Sequence, residues 1–151
     1  MPSDYANTLD YLRRLCSSRE YCRKDMYEKA MKRLADSDAA LKAVEELVRD
    51  GFISETRYAG AFSRDKAFIT GWGPVKIRFA LAAKGIPREI IDSTLGELDR
   101  SRTDEKLLKS LTARYRLLSG DPTVKIKLLK FALSRGYDYA AAEQAVKKIL
   151  D

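Results

Sequence analysis

Residues 51–86 read GFISETRYAGAFSRDKAFITGWGPVKIRFALAAKGI, and their punctuation decides the fold. Gly51 and Gly85 stand where helices stop, because glycine enters the left-handed C-terminal cap without a Cβ penalty. Pro74 stands where a helix starts, its fixed φ and missing N–H suiting the first turn. The second helix carries Ile77 and Leu81 one turn apart, and no segment of the chain shows the period-two alternation of a half-buried strand. The glycines on either side of Trp72 allow a tight entry to that helix.

The same pattern recurs outside the stretch. Sliding the chain against itself by 51 residues, twice, aligns Met26, Ile77 and Leu128, then Ala30, Leu81 and Ala132, and then Arg33, Lys84 and Arg135. Further on it aligns Ala40, Ile91 and Ala142, Val44, Leu95 and Val146, and Leu47, Leu98 and Ile149, whose steps of four and three describe one amphipathic helix face. Helices are therefore expected over 4–15, 23–34 and 37–49, over 55–69, 74–84 and 88–98, and over 104–118, 122–134 and 139–150. Asp121 and Asp138 read as N-caps, and Pro122 as a first-turn proline. The expected fold is all-α, three tandem three-helix repeats at 1–51, 52–102 and 103–151 in an elongated, curved array, because each short unit has too little core to stand alone.

At 151 residues the chain can bury a core without staples. It has two cysteines, Cys16 and Cys22, no CxxC and no histidine, which argues against a zinc site and favours two free thiols. The lack of histidine also weighs against general acid–base catalysis, so no enzyme activity is expected. GWGP has neither the spacing of a dinucleotide turn nor the Gly-Lys-Ser/Thr ending of a phosphate loop, so no cofactor is expected. No apolar run is long enough for a membrane span and the start lacks a signal-peptide pattern, which points to a cytoplasmic protein. The formal charge is +7. Residues 1–51 carry ten basic and ten acidic side chains, 52–103 nine and six, and 104–151 ten and six, so the excess lies in the last two thirds and favours an acidic or polyanionic partner.

Candidate partner-binding residues follow from that excess, each with a structural alternative. Arg57 and Arg64 are seven apart and share a helix face with Lys66 nearby; Arg57 can equally fix the turn before it, and Arg64 can be part of a solvated surface. Lys76 and Lys84 flank the apolar positions 77 and 81 while Arg78 points outward, and Lys84 also suits the C-terminal dipole of its helix. Lys125, Lys127 and Lys130, followed by Arg135, make the densest basic cluster. Trp72 is the sole tryptophan and is either presented by its loop or plugs the seam between two helices. Tyr5, Tyr11, Tyr21, Tyr27, Tyr58, Phe62 and Phe79 read as core and staple residues rather than stacking platforms.

Taken together, Gly51-Phe52-Ile53, the RYA of 57–59, FSRDK at 62–66, GWGP at 71–74, KIRFAL at 76–81 and KGI at 84–86 resemble the core signature of the RecX family. Upstream, REYCRKDM at 19–26, followed by Lys29 and Ala30, is similar to a second family stretch. The resemblance covers about residues 9–98 by motif and the remainder by architecture. It implies three tandem three-helix repeats and a small regulator that binds the RecA recombinase filament; a monomer is the default expectation, and the charge supports a competing reading, weak, non-specific binding to single- or double-stranded DNA. Two departures stand out. Cys22 and Asp25 replace the serine and glutamate of a capping box, weakening that cap by roughly 1 kcal/mol, and Leu34 stands where Gly85 and Gly136 stand in the later repeats.

Overall fold

Side-chain caps set most helix starts. Ser3 accepts a hydrogen bond from the Ala6 N–H at 3.1 Å and opens α1 (Asp4–Cys16). Asp36 accepts from the Asp38 and Ala39 N–H groups and opens α3 (Ser37–Arg49). Asp99 accepts from Arg102 and opens α7 (Arg100–Leu117), and Asp138 accepts from Ala141 and opens α9 (Tyr139–Leu150). Each satisfies one or, at Asp36, two of the N–H groups that a helix start leaves without an intrahelical partner. Between these lie α2 (Arg23–Leu34), α4 (Glu55–Asp65), α5 (Pro74–Ala83), α6 (Arg88–Gly96) and α8 (Val124–Ser134). The computed structural model describes residues 3–151, and Met1 and Pro2, which open the repeat expected over 1–51, lie outside them. The fold is all-α, with no strand among the described residues.

By its contacts the chain forms two compact units, one made of the residues up to Ala61 with Leu81–Ile91, the other of Phe62–Ala80 with Asp92–Asp151. In the first, α1, α2 and α3 pack on one another around Leu12, Met26, Ala30, Val44 and Leu47, all essentially solvent-free. In the second, α7, α8 and α9 enclose Leu107, Leu111, Leu128, Ala132, Ala142 and Val146. Truncating a fully buried leucine such as Leu47 or Leu111 to alanine removes packing worth about 2–5 kcal/mol. The 51-residue register coincides with burial: Met26, Ile77 and Leu128 are each fully buried, as are Ala30, Leu81 and Ala132.

Several helix ends differ from the sequence expectation. The helix expected to run to 69 changes at Lys66 into a π-turn over Lys66–Thr70, where the Gly71 and Trp72 N–H groups both reach back to the Lys66 carbonyl. α7 begins at Arg100 rather than 104, because Asp99 supplies the cap. Pro122 lies ahead of α8 and Thr123, not Asp121, is its N-cap; the Asp121 carboxylate instead accepts from the Thr123 N–H and hydroxyl. α2 ends at Leu34 with Ala35 in the left-handed region at φ 51°, one residue later than the glycine position of the other repeats, so the absence of glycine at 34 shifts the stop rather than removing it. Cys22 caps α2 without a side-chain hydrogen bond, as its replacement of serine implies.

Both thiols are free. Burial pushes the Cys22 thiol up to about 11, and burial raises Cys16 as well. At pH 8 the native protein is therefore expected to alkylate at Cys22 with iodoacetamide more than about tenfold more slowly than the unfolded chain, read by mass spectrometry, because the thiolate is the reactive form.

Candidate functional site

Several of the candidate cations are held within the fold. Arg57 donates from Nε to both carboxylate oxygens of Glu20, at 3.2 and 3.1 Å, and from its terminal nitrogen to the Gly51 carbonyl at 2.8 Å. It ties down the turn that precedes α4. Lys84 donates to Asp25 at 2.8 Å, linking the end of α5 to the start of α2. Burial alone would raise the Asp25 carboxyl, but hydrogen bonds from Lys84 and the Cys22 thiol hold it below the usual carboxylate value, while the bond to Asp25 raises Lys84.

The pair therefore stabilises the fold over a pH window. The Asp25 contribution is present above the unfolded carboxyl pKa and is lost as pH falls through the lowered folded value. The Lys84 contribution is present below its unfolded pKa and is lost as pH rises through the raised one. With 41% of the Lys84 side chain exposed, water screens the pair. Asp25→Asn is expected to cost about 1 kcal/mol at pH 7 and progressively less below about pH 4, as measured by denaturant unfolding at the two pH values.

Around Trp72 three candidates come together. The Lys66 and Lys76 ammonium groups each lie 4.6 Å from the centre of the indole, and Phe62 meets it edge-on at 6.3 Å. The half-buried indole thus packs its loop, and the two lysines spend part of their charge on it. The loop is docked through its backbone: the Gly73 N–H donates to the Arg135 carbonyl at 2.6 Å, and the Val75 N–H to the Gly136 carbonyl at 2.9 Å. A Cβ at Gly73 would meet the Gly136 carbonyl oxygen at 2.5 Å, and a Cβ at Gly136 would meet Lys76 Cβ at 2.2 Å. The GWGP loop and the turn after α8 are therefore one structural joint. Arg135 is half-buried there with its guanidinium over the Phe131 ring.

The remaining candidates are surface groups. Arg78 pairs with Asp92 at 2.7 Å, and Lys127 pairs with Asp121. Hydrogen bonds, first from Lys127 and then from Thr123, bring Asp121 down to about 2. Arg64, Lys125 and Lys130 are exposed and enter no ion pair among the described residues. Phe79, expected in the core, is 80% exposed, since it follows Ile77 by two residues and so falls on the opposite side of α5.

A group that sequence reading missed lies on α7. Arg102, Lys106, Lys109 and Arg116 follow steps of four, three and seven, and so occupy one face over about 21 Å of helix. The Arg102 guanidinium stacks 3.9 Å from the Phe68 ring centre. With Lys106 and Lys109 it lines a hollow of about 230 Å³ whose one acidic wall residue is Glu105. Helical spacing of cations is the available signal, although the local density of lysines is higher on α8. The second compact unit carries 16 basic against 10 acidic side chains, the first 13 against 12, so nearly all the excess charge is in the unit that holds this stripe.

Comparison with known proteins meets this architecture at two levels. The family model for the second three-helix domain of RecX matches residues 54–95, which take in α4, the π-turn, the tryptophan loop and α5. The regulatory protein RecX of Chlorobaculum tepidum is 30% identical over 151 residues, covering 96% of this chain and 89% of that protein. The chain belongs to the RecX family. The RecX proteins of Clostridium beijerinckii and Clostridium botulinum are 29% and 33% identical, and the chain spans only 61% and 56% of their lengths. In structure, the crystal structure of RecX from Lactobacillus salivarius superposes with a TM-score of 0.77 over 97% of this chain and 96% of that one, at 20% identity, and so agrees in fold. RecX is thus a family of regulatory proteins by the names its members carry, and the helical fold is theirs. No helix among the described residues is long and apolar enough to cross a membrane.

Proposed function

We propose that this chain is a cytoplasmic, monomeric regulator that binds the RecA nucleoprotein filament and alters its assembly, ATP turnover and strand exchange, and so acts on recombinational repair. It does so without chemistry of its own, built from three-helix repeats at 1–51, 52–102 and 103–151. The observation that carries the reading is membership of the RecX family, whose signature over 51–86 this chain resembles. The charge distribution supports it: the α7 stripe, Arg64, Lys125 and Lys130 offer cations not already spent on internal carboxylates, as an acidic or phosphate-bearing partner requires. Arg57 and Lys84, by contrast, are assigned to holding the first unit together, and Trp72, Lys66, Lys76 and Arg135 to the loop joint.

A second reading, a general nucleic-acid binder, is favoured by one observation, the net charge of the second unit. Phosphate contacts by its cations would give affinity that falls steeply with salt. No helix clusters Asn, Gln and Arg at its N-terminal end for reading base edges, so binding of this kind would be independent of sequence. The two readings separate in the steady-state ATPase of RecA on single-stranded DNA. A filament regulator changes the hydrolysis rate at amounts well below one copy per DNA site. A competitor for DNA changes it only when the chain is added in excess over DNA, and an unchanged rate at every ratio counts against the regulator.

A further inference from the structure

Beside the exposed face of α5 lies a groove of about 430 Å³, within the size range of pockets that take organic ligands or peptide side chains. Its apolar wall includes Val75, Leu95 and Leu98, and its polar rim includes Arg78, Arg100 and Asp92. Phe79, one turn on from Val75 on α5, extends the apolar strip beyond the groove; the two side chains are 80% and 54% exposed respectively. The helix does not need them for its own stability. Fifty-one residues earlier, α2 carries Lys24 and Glu28 at the corresponding places, and fifty-one later α8 carries Ile126, also exposed, where Val75 stands and Lys130 where Phe79 stands. At Phe79 an exposed aromatic ring stands where both corresponding helices carry charge, a feature that folding does not explain.

We propose that this groove binds an acidic peptide segment of a partner protein through one apolar anchor. The charges on the rim select the partner. Arg78 and Asp92 are each about half exposed in their ion pair, so an incoming carboxylate can exchange for Asp92 without uncovering a buried charge. Arg100 enters no ion pair among the described residues, which leaves the rim with one more cation than anion. A leucine or phenylalanine on the apolar wall, with carboxylates beside it reaching Arg78 and Arg100, satisfies both parts of the site. A nucleic-acid strand fits poorly, because its phosphates would lie against an apolar wall and face Asp92. The proposal goes beyond the filament reading and holds for any partner protein that offers such a segment.

The test uses the full chain labelled with 15N, titrated with the hexapeptide acetyl-Asp-Glu-Leu-Phe-Asp-Glu-amide and followed by amide chemical shifts. Saturable shifts at 74–79 and 92–103 are expected, with Kd between about 10 µM and 1 mM. Val75→Asp and Arg100→Glu, both at exposed positions, should each weaken binding about tenfold while leaving the remaining spectrum in place. Three results would overturn the proposal: no saturable shift; equal shifts from the same peptide with Ala-Ala at its centre, which would reduce the effect to charge alone; or shifts centred on 106–116. A fourth would replace it, if oligothymidylate moved the groove residues and the peptide did not.

Discussion

Gly136→Ala is expected to destabilise the protein by about 3–5 kcal/mol, lowering the melting temperature by roughly 10 °C. Gly136 has φ +95°, where a Cβ alone costs roughly 1–2 kcal/mol. The larger part comes from position, since the new methyl would sit 2.2 Å from Lys76 Cβ and 2.7 Å from the Lys76 backbone nitrogen. Neither atom can swing aside, because the start of α5 is pinned by the hydrogen bonds of Gly73 and Val75 to this same turn. The comparison that isolates the contact is Gly120→Ala, at φ +81° with nothing within 4 Å of the added Cβ. It should cost only the backbone term, and thermal melts of the two variants followed by circular dichroism should differ severalfold in effect. Equal losses would show that the loop joint carries no strain of contact.

Reversing the α7 stripe is expected to produce the largest functional effect. Lys109→Glu with Arg116→Glu replaces two exposed cations, and about 100-fold weaker binding to RecA filaments should follow at low salt. Each reversal both removes an attraction and adds a repulsion, and the effect should shrink as salt screens it. Folding should be unaffected to within about 0.5 kcal/mol, because both side chains are exposed. The matched control is Arg14→Glu with Lys32→Glu, the same charge change in the nearly neutral first unit, which should leave filament binding within about threefold of the parent. A parallel loss in the control would make net charge, rather than the stripe, the determinant.

Much of the fold could be read from the sequence because it is written in local terms. The starts of α1, α2, α3, α4 and α9 fall where helical period puts them, and the 51-residue register marks three sets of positions, those of Met26, Ala30 and Ala40, that are buried in every repeat, whereas Leu95, Leu98 and Ile149 are only half-buried in theirs. What could not be read depends on contacts distant in the chain or on small changes in helix geometry. The π-turn at Lys66–Thr70 leaves the apolar pattern of 55–69 unbroken, so nothing in the spacing announces it. Gly73 and Gly136 each look like ordinary turn glycines, and only the structure shows that the Gly136 carbonyl lies against Gly73 and Lys76 lies against Gly136. The candidate surface was half legible. Arg64, Lys125 and Lys130 are exposed, as charged residues off an apolar helix face should be, whereas the carboxylates that Arg57 and Lys84 meet lie 37 and 59 residues away in sequence. Phe79 is aromatic enough to suit a core, but helical phase puts it opposite Ile77.

The proposed partner is the filament rather than nucleic acid. This is tested most directly by fluorescence anisotropy of the labelled chain against RecA filaments preassembled on single-stranded DNA and against the same DNA without RecA, both at about 150 mM salt. Saturable binding to the filament is expected, at least about tenfold tighter than to bare DNA and weakened by the Lys109→Glu, Arg116→Glu pair. Equal affinity for filament and bare DNA, or binding to bare DNA alone, would contradict it.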